Sequence, residues 1–238
     1  MIQELLSALP YMDEARAKLV IDAFWPMVKA GVIYTIPLAI ASFICGILIA
    51  LMVAIARVMP VQNVFHKILL KFFGIYTSII RGTPLLVQLM IIFYALPAMD
   101  IKLDPVPTAI TGFSLNVGAY AAETIRASIL SVPKGQWEAG FSIGMTYSQN
   151  FYRIILPQAF KVAIPPLSNT FIGLMKETAL ASQVTITEMF RTAAQIANRS
   201  YDFLPVYIEC AILYWCICYV LYQWQEKLEK RFSQSVAR

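Results

Sequence analysis

Apolar residues in this chain come in long runs, and the polar residues between them mark where each run stops. Residues 31–56 carry no charge over about 26 positions, enough to cross the hydrocarbon of a bilayer with some tilt. Arg57 ends that run. A second run, 72–99, is interrupted only by Arg81-Gly82-Thr83-Pro84, and a third, 108–131, holds Asn116, Glu123 and Arg126. In the fourth, Pro165-Pro166 predicts a break, with the helix restarting at Leu167 and running to about Ser182. The fifth, 205–223, is rich in Tyr and Trp. The pattern predicts an all-α integral membrane protein with about five transmembrane helices.

The flanks read differently. Residues 1–29 interleave Asp13, Glu14, Arg16, Lys18 and Asp22 with apolar positions before Phe24-Trp25. This predicts an amphipathic, extracytoplasmic surface helix leading to an interfacial aromatic, and not a signal peptide. Residues 185–198 predict a second surface helix, with Thr185 and Glu188 at capping-box spacing and Met189, Ala193 and Ile196 on one face. The membrane domain takes in residues 30–226, and 227–238 form a solvated basic tail.

Composition agrees. The chain of 238 residues is 59% hydrophobic and only 14% charged, against about 25% charged in soluble domains. Its net charge of +5 comes without a basic patch interleaved with aromatics, so nucleic acid is excluded as a partner. The basic residues instead orient the spans. Arg57, Lys67, Lys71, Lys134, Arg153, Lys161, Lys227, Lys230, Arg231 and Arg238 fall on one side of a five-span topology. The other side has Arg16, Lys18, Lys29, Lys102, Arg191 and Arg199, mixed with acids. The first side is therefore expected to be cytoplasmic, with the N-terminus outside and the C-terminus inside. Cys45, Cys210, Cys216 and Cys218 lie in apolar runs without a C-x-x-C, and His66 is the lone histidine, which argues against a metal site. No G-x-x-x-x-G-K-[ST], Ser-His-Asp set or H-E-x-x-H is present, so the chain is expected not to be catalytic itself.

The polar stretch from Trp137 to Pro157 stands apart. Glu138 to about Thr146 predicts a short helix with small residues that bare its backbone. A second piece, 148–156, carries Phe151, Ile154 and Ile155 on one face and is expected to stop at Pro157. By residue types alone this is either a docking knob or an ordinary connecting loop. The order Glu138-Ala139-Gly140, three residues, Gly144, nine residues, Ile154-x-Leu156-Pro157 resembles the cytoplasmic E-A-A loop of bacterial ABC-importer permeases, with Gly140 as a small-for-small replacement at the third position. Arg81 to Gln88, Ala119 to Arg126 and Lys176 to Ala181 resemble signatures of the polar amino-acid branch, and the likeness runs from about residue 30 to about 225. Leu103-Asp104-Pro105-Val106-Pro107 and Gly135-Gln136-Trp137-Glu138 are similar to its L-cystine permeases.

The resemblance implies the type I ABC-importer permease fold in a bacterial cytoplasmic membrane, with residues 132–157 as the coupling loop. It implies a polar amino acid as substrate and a second permease subunit, with a homodimer preferred. An extracytoplasmic solute-binding protein is expected too. So is a cytoplasmic ATPase dimer, which carries ATP and Mg; no cofactor is expected in this chain. Glu138, Ala139, Gly140 and Gly144 are the expected ATPase-coupling positions. A passive channel or membrane scaffold without ATP coupling is the alternative.

Ionisable groups within spans are costly and mark function. At ~1.5 Å per residue, Arg81 lies about 15 Å beyond Lys71, Glu123 about 12 Å from Ser131 and Asn169 about 18 Å from Pro157. Arg81, Asn116, Glu123, Ser168 and Asn169, with Gln88 and Tyr120 nearby, are therefore the candidate substrate site. Arg81 and Asn169 are assigned to a carboxylate and Glu123 to an ammonium, with free backbone groups at the helix breaks assisting. Two alternatives stay open: Arg81 and Glu123 neutralise each other, or Glu123 pairs with Arg126 at i,i+3. Lys176 and Glu177 read as an interfacial pair.

Overall fold

The computed structural model describes residues 13–61 and 63–233; the start of the N-terminal segment and the end of the basic tail lie outside it. Among the described residues all regular structure is helical. Helix α1 (Glu14–Ala30) is capped by Asp13, whose carboxylate accepts from the Arg16 amide at 2.8 Å. It passes through a π-helical turn, Gly31–Thr35, directly into α2 (Ile36–Val58). The expected separate surface helix is thus the first part of one unbroken rod of 45 residues. The reason is local: nothing between Lys29 and Ile36 breaks a helix, and the π turn absorbs the one extra residue.

Helix α3 (Val64–Gly82), capped by Asn63, and α4 (Leu85–Met90) meet at Thr83-Pro84 with a bend of 107°. After a π turn (Ile91–Ala95) and a short loop, α5 (Pro105–Leu130) crosses the molecule. Then come α6 (Lys134–Ser142), α7 (Tyr147–Asn150), α8 (Leu156–Glu177), a 3₁₀ segment (Thr178–Val184), α9 (Met189–Ser200) and α10 (Phe203–Ser233). The five apolar runs are α2, the bent α3–α4 pair, α5, α8 and α10. Among the described residues only the rod and α10 are long and apolar enough by themselves to span a bilayer, and the bent pair makes a third. Of the two others, α5 packs inside the bundle, whereas α8 buries one side and leaves Phe160 and Val162 exposed.

Half of the 26 residues of α5 are buried, so α5 is the central post. Lipid tails give apolar helices no solvent-driven reason to associate, so contact depends on small residues that let backbones approach. A Cβ at Gly46 of α2 would lie 2.6 Å from Val117 Cγ1, and one at Gly112 would lie 2.5 Å from Leu89 Cδ2. The Ser114 hydroxyl donates to the Ser42 carbonyl at 3.2 Å, and Tyr76 OH on α3 donates to the Leu115 carbonyl at 2.7 Å.

A smaller cluster closes the opposite end, where Ala23 and Met27 of α1 meet Met189, Ala193 and Ala197 of α9 and Val206 of α10. Its polar centre is Glu188. This buried carboxylate accepts from the Phe190 amide at 2.7 Å, the Arg191 amide at 2.6 Å and Tyr214 OH at 3.0 Å. Burial pushes the carboxyl above the ordinary range, while the donors pull it back. Glu188, not Thr185, is therefore the cap of α9; Thr185 sits left-handed at φ 67° at the end of the preceding segment.

The two proline expectations fail for related reasons. Pro165 and Pro166 lie inside α8, which runs on without a restart. Two ladder bonds are lost, but the flanks are pinned by buried Ala159 and Ala163 below and Ile172, Leu174 and Met175 above. Pro157 opens α8 and does not end a helix. The π turn Phe151–Ile155 just before it shifts the ladder, with the Leu156 amide bonded to the Phe151 carbonyl.

Gly46→Val is expected to lower the thermal midpoint of the detergent-solubilised protein, by overpacking worth about 1–3 kcal/mol. Size-exclusion recovery after graded heating measures it; an unchanged midpoint would show that α2 and α5 do not depend on this approach.

Candidate functional site: a polar cavity, an ion-paired latch and a docking knob

Where α3 breaks into α4, a cavity of about 310 Å³ opens between Thr83, Pro84 and Leu85, Asn116 and Tyr120 of α5, and Thr170, Gly173 and Glu177 of α8. Three elements thus place polar side chains around one space. The break itself is closed by Gln88. Its buried amide donates to the Ile80 carbonyl at 2.8 Å and to the Thr83 carbonyl and hydroxyl at 3.0 and 2.9 Å. Thr83 OH donates to the Ile79 carbonyl at 2.9 Å. The Ile79, Ile80 and Thr83 carbonyls at this break thus each accept a side-chain hydrogen bond within the chain. The Gln88 Oε1 atom accepts from the Asn116 amide at 3.4 Å, so Gln88 positions Asn116. Arg81 stands beside the cavity with its guanidinium 5.5 Å from the Tyr120 ring centroid, and Tyr120 OH donates to the Arg81 carbonyl at 3.4 Å.

Glu123 is engaged elsewhere. Its carboxylate accepts from Arg57 at the end of α2, at 3.1 Å, and from Arg126 one turn on. The i,i+3 alternative thus holds, extended by a partner from another helix, and no Arg81–Glu123 ion pair forms among the described residues. Lys176 and Glu177 feel each other electrostatically but form no direct ion pair among the described residues. Glu177 lines the polar cavity, while Lys176 lines a separate space with Tyr207, Cys210 and Tyr214. Ser168 and Asn169 sit on another side of α8. Ser168 lines an apolar groove, and the side-chain Oδ1 of Asn169 accepts from Gln225 of α10 at 3.0 Å. Helical depth brought these residues level along the membrane normal, but depth does not set azimuth.

The loop after α5 folds into a compact knob. Trp137 stacks on Tyr147 at 5.2 Å, and Tyr147 is nearly coplanar in angle with Phe151 at 6.3 Å. Thr146 and Gln149 form a complete capping box for α7. Tyr147 OH donates to the Val58 carbonyl at 3.2 Å, which ties the knob to the end of α2. Burial raises the Tyr147 phenol above its ordinary value, so it stays a donor. Asn150 is buried and donates to the Trp137 carbonyl at 2.8 Å. Its side chain lies on Gly140, where a Cβ would come within 2.4 Å of the carboxamide. Replacing alanine by glycine at the third motif position is therefore not neutral here: the missing methyl is the seat of Asn150. Gly140 faces inward and not toward a partner. Glu138, Ala139 and Gly144 are exposed, with Phe141 and Ile143 beside them. Gly144 has φ +80° and an open surrounding, so it serves the turn.

This knob and the bundle from Gly46 of α2 onward fall within residues 46–234, which match the family described as binding-protein-dependent transport system inner membrane component. The chain belongs to that family. Among curated members it is 56% identical to the L-cystine transport system permease protein TcyB of Bacillus subtilis, over 92% of each chain. It is 31% identical to the glutamine transport system permease protein GlnP of Escherichia coli, over 89% of this chain and 97% of that one. A solved structure of an amino acid ABC transporter superposes with a TM-score of 0.81 at 31% identity, covering 89% of this chain and 96% of that one. The inward-facing MetNI methionine transporter gives 0.63 at 18% identity and supports the fold alone. As a member of this permease family the chain has the type I importer fold expected from its sequence.

Two residues carry more of this geometry than the sequence suggested. Glu177 was visible as an ionisable group near a span end, but its neighbour Lys176 suggested self-neutralisation. Asn150 gave no signal, since only the folded knob sets it against Gly140.

Gly140→Ala is expected to destabilise the knob by about 1–3 kcal/mol, and adding Asn150→Ala is expected to recover part of that loss. A double-mutant cycle on protease resistance of the loop measures it; strict additivity would show that the two residues are not in contact.

Proposed function

We propose that this chain is the translocating subunit of an ATP-driven importer for a polar amino acid, with L-cystine the first candidate. The observation that carries the reading is the polar cavity at the α3–α4 break, in a chain whose close relative is named for L-cystine transport. An amino acid presents a carboxylate and an ammonium. Arg81 supplies the cation, Glu177 the anion, and Asn116, Tyr120 and Thr83 supply neutral hydrogen bonds. Glu123 holds α2 to α5 in this reading and does not meet the substrate.

The basic end faces the cytoplasm by the Lys/Arg asymmetry, which puts the N-terminus outside. The knob then docks into a cytoplasmic ATPase dimer that binds ATP and Mg, and a solute-binding protein delivers substrate from outside. Two copies of this chain form the pathway, with a homodimer preferred. A passive channel would have no use for a braced knob with exposed Phe141 and Ile143 at its tip.

Glu177→Gln is expected to cut uptake of labelled L-cystine at least tenfold, about 1.4 kcal/mol or more of lost stabilisation, without changing the amount of folded protein. Unchanged uptake would remove Glu177 from the site, and competition by glutamine, arginine or histidine in place of cystine would reassign the substrate. Ile143→Asp is expected to leave the permease folded but free of co-purifying ATPase. An ATPase that still co-purifies would place the docking contact elsewhere.

A further inference from the structure

On the far side of α8 from the polar cavity, a groove of about 410 Å³ runs between α2, α8 and α10. Its volume falls in the ~300–1,000 Å³ range of ligand pockets. Its walls are apolar, with Ile44 and Ile47 of α2, Leu167 and Phe171 of α8, and Leu221 and Leu228 of α10. The one amide in it, Gln225, donates to Asn169 at 3.0 Å and to Glu229 at 2.7 Å. A zwitterion entering here would find only the Gln225 carbonyl oxygen and the Ser168 hydroxyl, and no charged partner, in exchange for its hydration. Ile40, Ile44 and Trp224 stay exposed, so the groove is open along its length.

We propose that this groove holds an acyl chain of an anionic phospholipid, with phosphatidylglycerol as the chemical type. The charge at its lower mouth carries the argument. Lys161 stands one turn below Ile164 on the stripe of α8 that lines the groove. Lys227 and Arg231 stand three residues beyond Trp224 and Leu228 of α10. Of the acids nearby, Glu226 pairs with Lys230 at 2.6 Å, and Glu229, hydrogen-bonded by Gln225, leaves one negative charge against the three cations Lys161, Lys227 and Arg231. Lys161, Lys227 and Arg231 have no ion-pair partner among the described residues, and they sit where a phosphate would be when its chain fills the groove. A second copy seated here across a two-fold axis would bring the same cations against themselves. The groove therefore fits an anion with a long apolar tail. A bound lipid would wedge α10 from α2 and fix the spacing of the helices around α8.

The test uses the full complex extracted in mild detergent, with native mass spectrometry to count retained lipid, and phosphatidylglycerol bearing a photoreactive acyl chain in vesicles. Wild type is expected to retain phosphatidylglycerol over phosphatidylcholine and to crosslink at Ile44, Phe171 and Leu221. Lys161→Gln, Lys227→Gln and Arg231→Gln are each expected to weaken that preference about fivefold. Ile44→Trp, which fills the groove without touching the charges, is expected to remove the crosslinks while the complex stays assembled. Undiminished retention in the triple charge variant would overturn the proposal, as would crosslinks spread over the outer face of α10 and absent from the groove. A disulfide between Ile44→Cys residues of two copies would overturn it in favour of a subunit contact.

Discussion

The close approach of α2 and α5 is the constraint on which the rest of this molecule depends. Between helices surrounded by hydrocarbon, water contributes little to association, and packing must come from shape. Gly46 against Val117 and Gly118 against Ile49 and Tyr76 remove the side chains that would hold the helices apart. Once α2 and α5 are joined, Tyr76 can reach the Leu115 carbonyl, Leu89 can enter the space over Gly112, and α8 can pack on the remaining face. The polar cavity is the remainder of that arrangement, the volume left where α3 turns away by 107° and α8 cannot follow.

The ends of the bundle are secured by charge and hydrogen bonding. At one end Glu123 is shared by Arg57 and Arg126, so one carboxylate joins two helices across partly exposed space. At the other, Glu188 caps α9 and takes the hydroxyl of Tyr214, and Thr35 in the π turn accepts from the Met189 amide at 3.2 Å. The knob uses a third device, an aromatic stack closed by Asn150. The knob is continuous with the main core, since Phe151 lies in it and Trp137 and Tyr147 pack against it.

The helices and their order were legible in the sequence, since each expected apolar run is helical, and two of them, three with the bent pair, are long and apolar enough to span a bilayer. The break at Gly82-Thr83-Pro84 was legible from its residue types: Pro84 lacks a donor and Gly82 lacks a side chain. Pro165-Pro166 was not, since a proline's effect on a helix depends on what pins the flanks, and buried Ala163 and Ile172 are known only from the fold. Of the residues grouped by depth, Asn116 and Tyr120 line the polar cavity, Arg81 stands beside Tyr120 and Gln88 holds Asn116, whereas Ser168 and Asn169 face α10. Hydropathy gives position along the helix axis, and the missing coordinate is rotation about it. Glu177 shows the converse error, since adjacent opposite charges on a helix diverge by about 100°.

Gln88 has a consequence for how this scaffold diversifies. With the Ile80 and Thr83 carbonyls occupied by its amide, the bend presents a finished surface in place of raw main chain. The cavity wall is then set by side chains such as Asn116, Tyr120, Thr170 and Glu177, which can be exchanged while the amide of Gln88 goes on holding the bend. Relatives at 31% identity carry names for different amino acids, arginine and glutamine.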